Sequence, residues 1–192
     1  MSVLEDNMRG KAEQAIRDLL FCFGVDTDNR QGMKETPSRV IRMLEEVWQG
    51  ESYTNEQLAQ MYGKTFESNS DGIVVVKDIE SFSYCEHHLA LIYDMKISVG
   101  YIPKDKVIGL SKICRIADMC CKRLQLQERI GRDILDVMSR IVGGDVIVRI
   151  EACHSCMTAR GIKKPGSKTV TLATNGVFNL SENQQKFLKL LQ

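Results

Sequence analysis

Residues 145–156 read Asp-Val-Ile-Val-Arg-Ile-Glu-Ala-Cys-His-Ser-Cys. Val146, Val148, Ile150 and Ala152 share one parity, which is the period of a β-strand with one apolar face. That strand runs directly into Cys153, His154 and Cys156. Working outward, residues 72–79 are β-branched and short and also predict a strand. Residues 89–101 are extended and partly alternating, with Ile97, Val99 and Tyr101 on one face. Residues 169–174 predict a last strand. Between these strands, Ser111 opens a long helical region. Ile113, Ile116, Ala117, Cys120 and Leu124 form one apolar stripe, and Ile130, Ile134, Val137, Met138 and Ile141 form a second, ended by Gly143-Gly144. Long strands in tandem, with helices between the hairpins, predict an α+β fold rather than a doubly wound parallel sheet.

The first third of the chain reads as helical. Ile16, Leu19, Leu20 and Phe23 fall on one stripe of a helix over 11–23, stopped by Gly24. Thr36-Pro37 starts a second helix that continues to about Gly50, and residues 54–62 add a short third one. A short amphipathic helix over 183–192 closes the chain. Composition divides the chain into a helical segment, 1–70, and a mixed domain, 71–192.

The chain has 192 residues, with 26 Lys and Arg against 25 Asp and Glu, a net charge of +1. Such a balance excludes a nucleic-acid coat or a polybasic membrane binder, each of which needs a large excess of one sign. Hydrophobic residues at 43% are enough for a packed core. Met1 to Gly10 holds Glu5, Asp6 and Arg9 and no apolar run, so no signal peptide is expected. No stretch approaches the roughly 20 apolar residues of a membrane span. Seven cysteines, an odd number, therefore predict reduced thiols in a cytoplasmic protein. Cys22, Cys114, Cys120 and Cys121 read as packing residues. Gly63-Lys64-Thr65 ends like a phosphate-binding loop, but Leu58 occupies the position where the motif needs glycine.

All three histidines stand beside cysteines, in Cys85-Glu86-His87-His88 and Cys153-His154-Ser155-Cys156. Cys-x-x-His followed by Cys-x-x-Cys is the donor pattern of tetrahedral zinc. The separation between the halves is far longer than in a zinc finger, so the metal adds to a fold that forms its own core. If the strand continues past residue 154, His154 and Cys156 share the face of Val148 and Ile150, and Cys153 lies opposite. Parity then favours Cys85, His88 and Cys156 as ligands, with an open fourth position for catalysis, and leaves His87 and His154 for acid–base work. The alternative is a closed structural site with Cys153 as the fourth ligand. Arg39 and Arg42 in one helix start, Ser111, Lys112 and Arg115 in another, and Arg160, Lys163 and Lys164 after the second cluster suit a phosphate-bearing substrate.

Several blocks, in order, resemble the GTP cyclohydrolase I family over nearly the whole chain. They are Glu35 to Val40, Ser83 to His88, Gly100 to Pro103, Val107 to Ile116, Arg123 to Arg129, His154 to Met157 with Ala159 to Gly161, and Ser167 to Thr171. The resemblance implies a tunnelling fold, a four-stranded antiparallel sheet with two long helices on one face, preceded by a helical segment. It implies a homo-oligomer, typically a decamer, with active sites between subunits. The implied reaction converts GTP and water into 7,8-dihydroneopterin triphosphate and formate, the first step of pterin, folate or deazaguanine synthesis. By the same resemblance zinc is held by Cys85, His88 and Cys156, and His154 is the acid at purine N7, assisted by His87. Glu128 reads the guanine edge, Gln127, Ser111 and Lys112 surround the ribose, and Arg115, Arg160, Arg39 and Arg42 clamp the triphosphate. A non-catalytic or structural-zinc relative is the competing reading. The chain departs from the family pattern in being one residue longer between His88 and Tyr101, with Asp94-Met95 where glycine is common. The insertion predicts a bulge or an altered turn after the metal-ligand block.

Overall fold

The computed structural model describes residues 6–192, in which the helices and strands follow one another as α1 (Asp6–Cys22), α2 (Thr36–Val47), α3 (Asn55–Tyr62), β1 (Thr65–Glu67), β2 (Val74–Cys85), β3 (Ala90–Tyr101), β4 (Lys106–Ile108), α4 (Leu110–Cys121), β5 (Leu124–Gln125), α5 (Gln127–Val142), β6 (Val146–His154), α6 (Ser155–Thr158), β7 (Thr169–Thr174) and α7 (Ser181–Leu190). The expectation about a signal peptide rests partly on residues 1–5, which lie outside the described residues. No helix among the described residues is long and apolar enough to cross a membrane.

Contacts divide the chain into two units, Met1–Ser52 and Tyr53–Gln192. The division falls before α3 because α3 packs on α5 and α4, with Leu58 fully buried. In the first unit, α1 and α2 pack on each other, tied by Arg9 donating to Glu45 at 2.6 and 2.8 Å. The apolar stripe expected on α1 is only half covered. Ile16 and Leu20 are partly buried, while Leu19 and Phe23 are exposed.

The second unit is built on one sheet in the order β5-β2-β3-β6-β7, accompanied by a small β1–β4 ladder. All neighbours in the large sheet are antiparallel except the two-residue β5, which runs parallel to β2. The four long strands are the expected sheet. The single helical region expected from Ser111 onward is broken at Lys122, and Leu124, counted on the first stripe, lies in β5. Helices α4 and α5 cover one face. Ile113, Ile116, Ile130, Ile134, Val137 and Met138 meet Ile97, Val99, Val148 and Ile150 there, all fully buried. Gly143 ends α5 in the left-handed conformation, φ 86°, which a residue without Cβ adopts freely. On the other face, Phe178 and Phe187 pack on Ile147.

Two bulges set the register. In β2 the pairing slips between Val76 and Ile79, around Asp78 at φ 57°. The resulting change of parity hid the second half of this strand, residues 80–85, from a reading that stops at Ile79. In β3 one extra residue appears between Ile92 and Met95 in the ladder with β2 and between Tyr93 and Lys96 in the ladder with β6, and Asp94 stands at φ 49°. The expected bulge is therefore present. Its physical effect is to change the inward-facing parity: Ile92 before it and Met95, Ile97, Val99 and Tyr101 after it are all buried. Asp is among the few non-glycine residues that tolerate this backbone region.

Candidate active site

Strand β3 pairs with both β2 and β6, and this places both Cys/His blocks at one end of the sheet. Cys85 closes β2 opposite Ala90, and Ile92 faces His154, the last residue of β6. The turn between β2 and β3 carries Glu86, His87 and His88. The Ser155 hydroxyl donates to the Leu91 carbonyl at 2.7 Å and pins the start of α6 to β3. The first turn of α5 arrives at the same end, because Gln125 of β5 pairs with Cys85 and accepts from the Glu86 amide at 3.1 Å.

Cys85 is buried, His87 and His88 are exposed with their rings edge-to-face 6.3 Å apart, and Cys156 is partly buried. β6 ends at His154, so Cys156 is placed by the helical turn α6 and not by strand parity as the sequence reading assumed. Within β6 the parity holds, and Cys153 alternates with His154, on the side of Arg149 and Glu151. All seven cysteines are free thiols. Among the described residues, no group of three or more His, Cys, Asp or Glu side chains stands close enough, as placed, to hold a metal ion.

His154 is partly buried, and its Nε2 lies 2.8 Å from Oε1 of Gln127. Burial lowers its pKa below the ordinary histidine value, against the opposing pull of the Glu128 carboxylate. Gln127 is buried at the first position of α5. Its amide nitrogen meets the carbonyls of Ile150 at 3.2 Å and Thr169 at 3.0 Å and the Thr171 hydroxyl at 3.3 Å. The residue expected near a ribose thus has its whole amide engaged inside the fold. Glu128 follows it, exposed in the first turn of α5, where the helix dipole favours a carboxylate. A cleft of about 420 Å³ between α5 and β7 is lined by Glu128, Gly131, Arg132, Thr171 and Ala173.

Ser111 and Arg115 are exposed one turn apart on α4, and the Lys112 ammonium lies 6.0 Å from the centre of the Tyr62 ring. Arg160 is exposed in the loop after α6, where Lys164 N donates to Met157 O at 2.9 Å. Arg39 and Arg42 belong to α2 of the first unit, and Arg39 pairs with Glu35 at 2.8 Å. Of the cysteines read as packing residues, Cys120 and Cys121 are fully buried, and desolvation raises the Cys121 pKa to about 12. Cys114 is partly buried and Cys22 is exposed at the end of α1.

Sequence reasoning gave no role to Glu86 and Arg129. They form a two-pronged pair at 2.5 and 3.1 Å that fastens the His87–His88 turn to α5. The arginine holds the Glu86 carboxyl below its usual pKa. The only signal was opposite charge on two separate sequence blocks.

An antiparallel sheet with two helices on one face is the tunnelling fold that the sequence resemblance implies. The family model for GTP cyclohydrolase I matches residues 12–192. The GTP cyclohydrolase 1 of Ruminiclostridium cellulolyticum is 53% identical over 190 residues, covering 95% of this chain and 97% of its own. That of Clostridium acetobutylicum is 54% identical over 172 residues, covering 86% and 88%. Among solved structures, an archaeosine synthase QueF-Like in the apo form superposes with a TM-score of 0.43 at 20% identity, over 58% of this chain and 99% of its own. The chain belongs to the GTP cyclohydrolase I family.

Proposed function

We infer that the chain is a hydrolase that opens the imidazole ring of GTP, releasing formate and 7,8-dihydroneopterin triphosphate. The observation that carries this reading is the convergence of Cys85, His88, His154 and Cys156 on one end of the sheet through the pairing of β3 with β2 and β6, with Glu128 brought to the same end by the pairing of β5 with β2. Two free thiols and an imidazole are a donor set suited to zinc. Cys85, His88 and Cys156 hold the ion in this proposal, and zinc there supplies Lewis acidity toward water and the purine.

The chain's own groups do the remaining work. His154 moves a proton at purine N7, which turns a poor leaving nitrogen into a neutral one as the C8–N bond breaks. His87, exposed on the same turn, orients water and shuttles protons. Glu128 accepts from guanine N1–H and the exocyclic amine, a two-point charged contact that an adenine ring cannot make. Ser111 and Lys112 lie along the ribose, and Arg115 and Arg160 bind the triphosphate.

The open edge of β7, with Val170 and Leu172 exposed, and the uncovered Phe21 and Phe23 of the first unit support a homo-oligomer. Free thiols and the absence of a membrane-length helix among the described residues support a cytoplasmic location.

The test is purified protein with GTP, with and without a chelator, followed by formate release and pterin fluorescence after oxidation. Formate that disappears with chelator and returns with zinc is expected. No formate from zinc-loaded protein refutes the reading. His154→Ala is expected to abolish turnover with zinc stoichiometry unchanged.

A further inference from the structure

We propose that Gln127 is a positioning residue that fixes His154 in its Nε2–H tautomer and leaves Nδ1 as the nitrogen that meets the substrate. The inference rests on the proposed role of His154 and adds how the fold prepares that ring.

An isolated glutamine amide can be turned end for end, and the neighbours decide which end is which. Here the decision is forced. One end of the Gln127 amide faces two backbone carbonyls, Ile150 O at 3.2 Å and Thr169 O at 3.0 Å. Carbonyl oxygens only accept, so that end is the NH2 group. The Thr171 hydroxyl at 3.3 Å can donate or accept and is compatible with it. The other end is therefore Oε1, which also only accepts. It lies 2.8 Å from His154 Nε2, so Nε2 carries the hydrogen. In the neutral ring the second nitrogen, Nδ1, is then bare, so it gives a proton to purine N7 only after first taking one up from water, as the doubly protonated imidazolium.

Position and burial make this a rigid arrangement. Gln127 is 1% exposed at the start of α5, and its partners lie on β6 and β7. The amide is thus held by three elements at once, and the histidine inherits that order. Reversing the tautomer would set a bare Nε2 against a carbonyl-type oxygen, two acceptors with no hydrogen between them, in a site without water-like freedom. Holding an imidazole by its remote nitrogen is a general way to select the working one, and in a hydrolase triad the wrong tautomer is known to cost orders of magnitude in rate.

The test combines imidazole 15N NMR of the histidine-labelled full chain with steady-state kinetics on GTP, using Gln127→Leu and Gln127→Glu. His154→Ala assigns the resonance by its loss. The wild-type ring is expected to show Nε2–H with bare Nδ1. Gln127→Leu is expected to lose that preference and to lower kcat by roughly 100-fold or more, with KM within about threefold. Gln127→Glu keeps an acceptor for Nε2–H, so it is expected to retain the tautomer, while its second oxygen, set against the carbonyls of Ile150 and Thr169, is expected to lower the urea midpoint. An Nδ1–H wild-type ring overturns the proposal. So does a Gln127→Leu variant whose His154 ring keeps the Nε2–H preference, since Gln127 would then not be what fixes it. If His154→Ala itself turns over GTP, the role assigned to His154 fails instead, independently of the tautomer result.

Discussion

Asp133 on α5 is the point where one substitution should loosen both the fold and the candidate site. Its carboxylate accepts from Arg123 Nη1 at 2.8 Å, Gln125 Nε2 at 2.7 Å and Asn55 Nδ2 at 3.2 Å. The Arg123 and Asp133 side chains are only 11% and 17% exposed. Asp133→Ala removes the charge and leaves the guanidinium largely desolvated. Breaking a buried pair by deleting one partner costs about 3–5 kcal/mol. Arg123 keeps partners that include Asn55 Oδ1 at 2.9 Å and Tyr53 O at 2.8 Å, so the low end applies, about 3 kcal/mol. For a chain of this size that lowers Tm by roughly 6–12 °C. Urea unfolding at pH 7 and one fixed protomer concentration measures it, because association would otherwise shift the midpoint. The double variant Asp133→Leu with Arg123→Met replaces the pair by apolar groups and should lose clearly less than Asp133→Ala alone. Gln125 also supports the Glu86 amide, so that amide should exchange faster with solvent in Asp133→Ala. A loss under about 1 kcal/mol, the value of a solvated surface pair, would refute the reasoning. Strict additivity of Asp133 and Arg123 substitutions would do the same.

Three further outcomes follow from other parts of the structure. A Cβ at Gly100 would lie 2.7 Å from the Phe187 ring and 2.9 Å from Ile147, so Gly100→Ala should cost about 1–3 kcal/mol by overpacking, read as a lower urea midpoint; an unchanged midpoint would mean that α7 moves freely away from the sheet. Glu128→Gln should narrow the preference for GTP over ATP by raising the barrier for GTP alone, and an unaltered kcat/KM ratio would remove Glu128 from guanine recognition. The Arg149 guanidinium at 2.6 Å, and then Lys168, hold the Glu151 carboxyl below its usual pKa. A depressed carboxylate stabilises the fold above its unfolded pKa and loses that contribution as pH falls through the lower folded value. The stability difference between the wild type and Glu151→Gln should therefore shrink toward zero with acidification, and a difference independent of pH would contradict the pairing.

Much of the architecture follows from local pattern alone. A period of two over residues 145–153 defines β6, and periods near 3.6 define α4 and α5, because an apolar face must be buried whatever surrounds it. The extra residue before Tyr101 predicted a bulge or an altered turn, and strand pairing decided for a bulge and placed it at Asp94. That Cys85, His88, His154 and Cys156 belong to one cluster was legible because thiols and imidazoles rarely stand together in a sequence by chance, and strand pairing brings both blocks to one end of the sheet. Local pattern failed where pairing partners decide. β5 has two residues and exists only because Cys85 lies beside it, and the length of β2 is masked by the bulge at Asp78.

What only the tertiary structure decided is who touches whom across the sheet. The sequence determined that Gln127 stands one position before Glu128 at a helix start. It could not determine that the Gln127 amide turns inward to the carbonyls of Ile150 and Thr169 and to His154, while Glu128 stays exposed. Nor could it pair Glu86 with Arg129. The reason is physical. Periodicity reports which face of an element is buried, through the one-body preference of each side chain for water or core. Hydrogen-bond direction and ion pairing depend on two groups distant in sequence, and their meeting is fixed only when β3 docks between β2 and β6.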